Sequence, residues 1–203
     1  MSKYIDKIIY INLDRREDRR IQVEEELNNF QLSYERFTGF DYQEFGPYGC
    51  GMSHIKVLEY AKENKYKNIL IFEDDFMFTV SKEEFELSLQ KVFEEYKEFN
   101  VCLLSYNMVD SSEIEGYSQI RKVKKAHTTS GYIVNENYYD ILIDLFKDAV
   151  PKLLETRQHW IYSIDQIWCN LQEKDNWIYI DPRIGRQRPS YSDNAYCFVD
   201  CNC

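Results

Sequence analysis

The chain has 203 residues, of which 44% are hydrophobic, and its formal net charge is -10 at pH 7. This length and apolar content suffice for one buried core, and they exclude a disordered or fibrous chain. The acidic balance argues against a nucleic-acid partner, because neutralising phosphates requires a basic surface. We therefore expect one globular domain over residues 1–203, with a short tail at about 195–203.

The amino-terminal segment, MSKYIDKIIYINLDRR, contains an apolar run that is too short for a signal peptide or a membrane span. Charges flank this run on both sides. The pattern predicts a cytoplasmic protein without a transmembrane segment. Six cysteines in a chain without a secretory signal favour free thiols over a disulfide scaffold.

The first half of the chain alternates apolar runs with amphipathic segments. KIIYINL, from Lys7, predicts a strand, and residues 17–30 predict a helix. GPYGCGMSH, from Gly46, is rich in Gly and Pro and predicts a loop, after which Ser53 is expected to cap a helix. Residues 68–72, NILIF, predict a short buried strand.

The second half continues this alternation. Ser81 and Glu84 form a capping-box pattern that opens a helix to about Tyr96. NVCLLS, TTSGYIVN and NWIYID predict strands, whereas ENYYDILIDLF and IYSIDQIWCNL predict helices. Together these elements predict an α/β fold with a mostly parallel central sheet flanked by helices. Sheets of this type bind ligands at the carboxyl ends of their strands.

Three carboxylates, Glu73, Asp74 and Asp75, directly follow the NILIF strand. Side chains alternate along a strand, so we expect Glu73 and Asp75 to point one way and Asp74 the other until the backbone turns. Hard oxygen ligands of this kind suit Mg²⁺ or Mn²⁺ shared with the phosphates of a ligand. A solvated loop or a local cap is an equally good interpretation of the triplet alone.

An arginine cluster, NLDRREDRR, follows the first predicted strand. Such residues usually form a solvated helix face. Here they follow a strand end on the same rim as the acidic triplet, so some could hold a base or a diphosphate by stacking and bidentate hydrogen bonds.

Six motifs, in this order and spacing, resemble glycosyltransferase family 25. They are YINLDRREDRR, GCGMSHIKVLE, ILIFEDDF, TTSGYIVN, DQIWCNL and RQRPSYSDN, which extend from about Lys7 to Asn194. The family includes bacterial lipooligosaccharide galactosyltransferases and procollagen hydroxylysine galactosyltransferase domains. The resemblance implies a GT-A fold, a UDP-sugar donor, Mn²⁺ (or Mg²⁺) and inversion at the anomeric carbon. It also implies an acceptor hydroxyl on a glycan or on a hydroxylysine-type protein.

Residue roles carry over from the matching motifs. Asp75 is the first choice as a direct metal ligand, with Asp74 beside it, and Glu73 and Asp74 are candidate nucleotide contacts. The other positions that match donor-binding motifs are Asn12, Arg15, Arg19, Ser53, His54, Ser130, Gly131, Arg186, Gln187, Ser190, Ser192 and Asp193. At Gly131, we expect the missing side chain to let the backbone approach the sugar.

An inverting transfer also needs a base that takes the acceptor proton. Asp165 matches the family's acidic position near the acceptor, and we expect a helix start to keep it ionised; a simple helix cap is the competing role. Trp160 and Trp168 flank it as candidate stacking faces for a sugar. Two other functions fit the acidic strand end, namely a metal-dependent phosphohydrolase and a non-catalytic nucleotide-sugar binding protein.

Overall fold

The computed structural model describes residues 3–192 and 197–200. The helices are α1 Glu17–Asn29, α2 Gly46–Glu63, α3 Lys82–Gln90, α4 Tyr139–Thr156, α5 His159–Tyr162, α6 Ile164–Ile167 and α7 Cys169–Gln172. The strands are β1 Lys7–Asn12, β2 Glu35–Thr38, β3 Asn68–Glu73, β4 Phe76–Phe78, β5 Val101–Leu103, β6 Asn107–Ile114, β7 Tyr117–His127, β8 Gly131–Asn135, β9 Trp177–Ile180, β10 Gly185–Gln187, β11 Ser190–Ser192 and β12 Cys197–Val199.

The α/β prediction is confirmed, with an eight-stranded sheet in the order β2-β1-β3-β8-β5-β9-β7-β6. The sheet is mixed rather than mostly parallel in its pairing, because β8 and β7 run against their neighbours. The remaining six strands share one direction. Two small antiparallel pairs, β4 with β10 and β11 with β12, lie outside this sheet.

Helices cover both faces of the sheet, as the alternation predicted. Side chains alternate along β1 and β3, so that Ile9 and Ile71 belong to one buried cluster and Tyr10 and Phe72 to the other. Helices α2 and α4 pack on the first face, and α1 and α3 pack on the second. The sheet core is therefore buried on both sides, which leaves its strand ends as the place for a ligand.

Helix α3 begins as predicted. Ser81 Oγ accepts a hydrogen bond from the Glu84 backbone N–H at 3.2 Å, and Glu84 Oε2 accepts one from the Ser81 N–H at 2.9 Å. A π-helical segment, Lys91–Tyr96, continues the helix to the predicted end. The predicted helix IYSIDQIWCNL forms instead as three short helices, α5 to α7.

The loop predicted at GPYGCGMSH is wrong, because α2 already begins at Gly46, with Pro47 in its first turn. Pro is well suited to a first helical turn, since its missing N–H would be unpaired there anyway. Gly49 is needed for close packing: a Cβ atom there would lie 2.5 Å from the carbonyl oxygen of Phe40. Gly49 therefore marks a tight contact with the preceding loop rather than a break in the helix.

None of the described helices is both long enough and apolar enough to cross a membrane.

Candidate active site

A cavity of about 330 Å³ opens at the carboxyl ends of β1 and β3. These two strands are parallel neighbours, with Ile11 opposite Glu73, so the residues that follow them meet at one edge. The described residues that line the cavity are Ile11, Asn12, Leu13, Arg15, Arg19, Phe40, Asp41, Tyr42, Gln43, Gly46, Gly49, Cys50, Ser53, His54, Glu73, Asp74, Asp75 and Gln187. Nine of the predicted site residues are thus brought together in one place: Asn12, Arg15, Arg19, Ser53, His54, Glu73, Asp74, Asp75 and Gln187.

Asp74 and Asp75 share one guanidinium. Arg19, on α1, donates from Nη1 to Asp74 Oδ1 at 2.8 Å and to Asp75 Oδ2 at 3.2 Å. Asn12, the last residue of β1, donates from Nδ2 to Asp74 Oδ2 at 2.8 Å. The predicted grouping of Glu73 with Asp75 is therefore wrong, because β3 ends at Glu73 and the following turn brings Asp74 and Asp75 to the same cation.

The two carboxylate oxygens of Asp75 have different surroundings. Asp75 Oδ1 is buried and has no hydrogen-bond partner among the described residues. Burial raises the pKa of Asp75 to about 7; the charges of Glu73 and Asp74 add to this increase, whereas Arg19 and a hydrogen bond from Gln187 oppose it. Burial likewise raises the pKa of Asp74, against the lowering effect of Arg19 and Asn12. This end of the cavity therefore holds more negative charge than Arg19 neutralises.

Glu73 has different partners. Its Oε1 atom lies 3.2 Å from His54 Nε2 and accepts a hydrogen bond from Thr129 Oγ1 at 2.5 Å. Burial acts to raise the pKa of Glu73, but the hydrogen bond and charge of His54, together with Thr129, lower it overall. The buried His54 ring also bonds through Nδ1 to the Tyr132 hydroxyl at 2.7 Å. Glu73 is therefore held as a carboxylate within a hydrogen-bond network.

Ser53 does not cap α2 but ties the helix to the loop before it. Its hydroxyl donates to the carbonyl of Gly49 at 2.7 Å and accepts from the backbone N–H of Phe40 at 2.8 Å. The loop then places Asp41 against Arg15, with 3.1 Å between Arg15 Nε and Asp41 Oδ2. Arg15 therefore lines the cavity while it forms an ion pair with this loop.

Sequence reasoning missed the contribution of this loop, residues 40–43. Its side chains Phe40, Tyr42 and Gln43 line the cavity beside Asp41. In the sequence, this segment shows only two aromatic residues between predicted elements. Such a pattern by itself identifies no ligand. The loop reaches the cavity only because Gly49 and Ser53 let α2 pack against it.

Asp165 is not among the described residues that line the cavity, although the charge of Glu73, which does line it, acts on Asp165. Its Oδ2 atom accepts a long hydrogen bond, 3.4 Å, from the backbone N–H of Thr128. Burial raises the pKa of Asp165, with a further increase from the charge of Glu73, while the hydrogen bond from the Thr128 backbone opposes this increase. That Asp165 is ionised and acts as the base stays a prediction. Thr128 has a φ of +84°, a strained value for a β-branched residue.

Some residues of the late motif, RQRPSYSDN, lie at or near the cavity, and others do not. Gln187 lines the cavity, and the backbone N–H of Arg188 donates to the carbonyl of Asp75 at 2.6 Å. Ser190 Oγ accepts from Arg19 Nη2 at 2.8 Å. Arg186 pairs with Met77 between β10 and β4 rather than in the cavity lining. The Ser192 side chain and Asp193 lie outside the described part of the chain.

Ser130 and Gly131 are placed beneath the site rather than in it. Ser130 is fully buried, its hydroxyl bonds to that of Ser105 at 2.6 Å, and its carbonyl accepts the N–H of Glu73. A Cβ atom on Gly131 would lie 2.6 Å from the ring of Phe76. The reason predicted for Gly131, close approach to a sugar, is therefore wrong, because the glycine accommodates an aromatic ring.

The two tryptophans near Asp165 also differ from each other. Trp168 is completely buried and donates from its indole nitrogen to the carbonyl of Ala126, so it cannot stack on a sugar. Trp160 is 62% exposed. The expected stacking role can therefore apply to Trp160 alone.

The residues at Asp75 fit a divalent cation. Among the described residues, a buried oxygen of Asp75 has no hydrogen-bond partner, Glu73 and Asp74 precede it in the chain, and Arg19 forms ion pairs with Asp74 and Asp75. Hard oxygen donors of this type match Mn²⁺ and Mg²⁺. Asp75 and Asp74 are the side chains that would hold such an ion.

The comparisons with known proteins identify a family and a fold. The sequence profile of glycosyltransferase family 25 (LPS biosynthesis protein) matches residues 45–168, more than half of the chain. No curated protein matches the sequence.

A solved structure shows the same fold at low sequence identity. A glycosyltransferase involved in glycosylation of the major capsid of PBCV-1 is 10% identical, with a TM-score of 0.51, over 89% of this chain and 92% of that one. The glycosyltransferase GlyE of Streptococcus pneumoniae TIGR4 is also 10% identical, with a TM-score of 0.48, over 86% of this chain and 45% of its own.

Proposed function

This chain is a member of glycosyltransferase family 25, and on that basis we propose that it transfers a hexose, galactose or glucose, from a UDP-sugar to an acceptor hydroxyl. The transfer is metal-dependent and inverts the anomeric carbon. The acceptor is a hydroxyl group on a glycan or on a hydroxylysine-type protein. The nucleotide-sugar fold and the family support this class of reaction.

One observation carries the proposal. A buried Asp75 oxygen without a partner among the described residues faces a cavity that also contains Arg15, Arg19 and Asn12. Unpaired buried carboxylate oxygens are costly, so their presence at a strand end indicates a site for a cation. A nucleoside diphosphate needs both a cation and donors such as these.

The donor would lie across the two strand ends. Arg15 and Arg19 offer planar, permanently charged donors for a diphosphate, and arginine can also stack on a base. Phe40 and Tyr42, from the loop beside them, line the same cavity and offer aromatic faces for the uracil ring. Ser190 lies within hydrogen-bond distance of Arg19 and would hold the guanidinium toward the diphosphate.

The leaving group determines what the site must stabilise. UDP leaves with growing negative charge as the anomeric carbon acquires oxocarbenium character. A metal ion held by Asp75 and Asp74 would act as a Lewis acid toward that charge. Arg19 already lies against both carboxylates, so the protein contributes a second fixed positive charge at the same place.

Asp165 is the proposed base for the acceptor hydroxyl. Burial raises its pKa, which makes its carboxylate a stronger proton acceptor than an exposed one. The strained Thr128 backbone directs an N–H to the same carboxylate and fixes its position.

The test measures UDP release from a panel of UDP-sugars across an Mn²⁺ titration, using the wild type and Asp165→Asn. The wild type should release UDP from one donor and only with metal. Asp165→Asn should keep the UDP affinity, measured by calorimetry, and lose about 10²–10⁴-fold of the transfer rate to an acceptor. Asp144→Asn, a substitution on α4 outside the cavity lining, is the matched control and should transfer normally.

Three results would contradict parts of the proposal. Equal transfer by Asp165→Asn would assign the base to another residue. Release of UDP without added metal would show that Asp75 does not act as a metal ligand in the reaction. Release of inorganic phosphate rather than UDP would indicate a phosphohydrolase, and UDP binding without transfer to any glycan or peptide acceptor would indicate a binding protein.

A further inference from the structure

A second cluster of ligand-type side chains lies in the same cavity, away from Arg19. Cys50, His54 and Glu73 each present one ligand atom, and these three atoms lie within 4.8 Å of one another. All three residues line the cavity, and Cys50 is a free thiol. A sulfur, an imidazole nitrogen and a carboxylate form a different set of donors from the oxygen-only set at Asp75.

The backbone explains why these atoms converge. Cys50 and His54 are four residues apart on α2, so they lie on one face of the helix. Glu73 is the last residue of β3, whose carboxyl end meets this helix face. Two ligands at positions i and i+4 of a helix, with a third from another element, form a common arrangement for transition metals.

The distances suit a tetrahedral ion. Zinc bonded to a nitrogen and an oxygen at about 2.0–2.1 Å holds those two atoms about 3.3 Å apart. His54 Nε2 and Glu73 Oε1 are separated by 3.2 Å. Cys50 Sγ lies within 4.8 Å of both, so a small side-chain movement would complete three ligands and leave a fourth position toward the cavity.

The outer contacts are those that orient metal ligands. The Tyr132 hydroxyl lies 2.7 Å from His54 Nδ1, which fixes the imidazole ring with Nε2 toward Glu73. Thr129 Oγ1 donates to the Glu73 carboxylate at 2.5 Å. Ligating histidines and carboxylates usually have such partners, and losing one typically costs about 10–100-fold in metal affinity.

We propose that Cys50, His54 and Glu73 form a site for Zn²⁺, or a metal of similar softness, separate from the Asp75 site. A thiolate ligand favours Zn²⁺ over Mn²⁺ and Mg²⁺, which prefer oxygen donors. The cavity therefore has two cation sites with different selectivity. This site is independent of whether the protein transfers a sugar.

The test uses chelator-treated, reduced protein and measures Zn²⁺ binding by dialysis with metal analysis and by competition with a chromogenic chelator. The background carries Cys197→Ser, Cys201→Ser and Cys203→Ser, so that tail thiols contribute nothing. We expect one Zn²⁺ per chain. Cys50→Ser should weaken binding by at least about 100-fold, because serine is not a soft ligand.

Matched variants separate this site from its alternatives. Cys169→Ser removes another partly buried thiol, one that lies 3.7 Å from His127 Nδ1, and should leave Zn²⁺ affinity unchanged. Tyr132→Phe should weaken Zn²⁺ binding by about 10–100-fold. Co²⁺ should give a thiolate-to-metal charge-transfer absorption that disappears in Cys50→Ser.

The proposal is overturned if Cys50→Ser binds Zn²⁺ as tightly as its parent, or if Cys169→Ser loses as much affinity. It is also overturned if Asp75→Asn abolishes Zn²⁺ binding, because the ion would then occupy the other site. Thermal unfolding in the presence of chelator checks that each variant is folded. None of these readouts depends on transferase activity, so a failure here and a failure of the proposed reaction are distinguishable.

Discussion

The two walls of the cavity hold neighbouring carboxylates in opposite states. We call them the Arg19 wall, formed by Asn12, Arg19, Asp74 and Asp75, and the His54 wall, formed by Cys50, His54, Glu73 and Thr129. On the Arg19 wall, burial raises the pKa of Asp75 to about 7. On the His54 wall, hydrogen bonds lower the pKa of Glu73 despite its burial.

This difference shows that the hydrogen-bond partners of each carboxylate, rather than its position in the triplet, determine the direction of its pKa shift. Glu73 accepts from Thr129 and contacts His54, so its charge is largely satisfied by the protein. Asp75 keeps a buried oxygen without a partner among the described residues. Asp75 therefore offers that oxygen to a cation that prefers oxygen ligands, whereas Glu73 keeps two polar partners in the metal-free protein, although all three carboxylates are consecutive in the chain.

The largest expected effect comes from Asp75→Asn. Removing this charge at nearly constant volume should lower metal-dependent transfer by about 10²–10³-fold. The same change should raise the melting temperature of the metal-free protein at pH 8. A pKa raised by burial means that the ionised carboxylate destabilises the fold above that pKa, and asparagine carries no such charge.

Transfer assays and thermal unfolding in the presence of chelator check both halves of this prediction. Asp18→Asn is the control, because Asp18 is a mostly exposed acid whose partner is Arg16. It should change neither quantity appreciably. A lower melting temperature for Asp75→Asn would show that the Asp75 charge stabilises the metal-free fold.

Arg19→Gln removes the cation of the Arg19 wall and leaves two buried carboxylates facing each other. Breaking a buried ion pair from one side should lower the free energy of unfolding by about 3 kcal/mol. Mn²⁺ should then stabilise this variant more than the wild type, since the ion replaces the missing charge.

Chemical denaturation with and without Mn²⁺ measures both effects of the Arg19 substitution. Arg20→Gln, at the next and more exposed position, breaks an ion pair with Glu24 and should destabilise the protein far less than Arg19→Gln does. If Mn²⁺ stabilises Arg19→Gln no more than the wild type, the metal does not bind at Asp74 and Asp75.

Glu73→Gln tests the His54 wall. The amide keeps the shape of the side chain but loses the charge that faces His54, which should lower the free energy of unfolding by about 2 kcal/mol. Transfer should fall less than in Asp75→Asn. The transfer rates of the two variants are compared in the same assay. A larger loss of transfer in Glu73→Gln would contradict the prediction that Asp75, rather than Glu73, contributes more to transfer.

Ser53→Ala should have the smallest effect. It removes the hydroxyl that joins α2 to the backbone N–H of Phe40 and should cost about 1 kcal/mol, with weaker UDP binding because the loop is less fixed. Ser88→Ala is the matched control, since this partly exposed serine makes the same type of bond to the carbonyl of Glu84, one turn earlier in its own helix. If both variants lost the same stability and the same UDP affinity, the contact between Ser53 and the loop would not explain the effect of Ser53→Ala.

The sequence predicted the strand ends well because local chemistry dictates them. β1 and β3 are short apolar runs that end in polar residues, and parallel neighbours place such ends at one edge. The α2 boundary was mispredicted, because Gly and Pro normally mark loops. Here Gly49 serves a contact with Phe40 that lies nine residues away in the chain.

Long-range contacts account for the other errors at the site. Nothing near Gly131 in the chain shows that Phe76 packs against it, and nothing near Trp168 shows that it is fully buried. The Cys50 thiol was part of a recognised motif, yet its proximity to Glu73 depends on how α2 meets the end of β3. Such placements arise from packing between distant segments.

The sequence by itself determined the α/β class, the position of the acidic triplet at a strand end and the resemblance to glycosyltransferase family 25, because hydrophobic periodicity and ordered motifs are local properties. Tertiary structure alone decided which partners each carboxylate has, and which of the described carboxylate oxygens is buried without one. That outcome depends on Arg19 and His54, which approach the triplet from two different helices. The chemistry of three consecutive acids is thus set by the residues that fold against them.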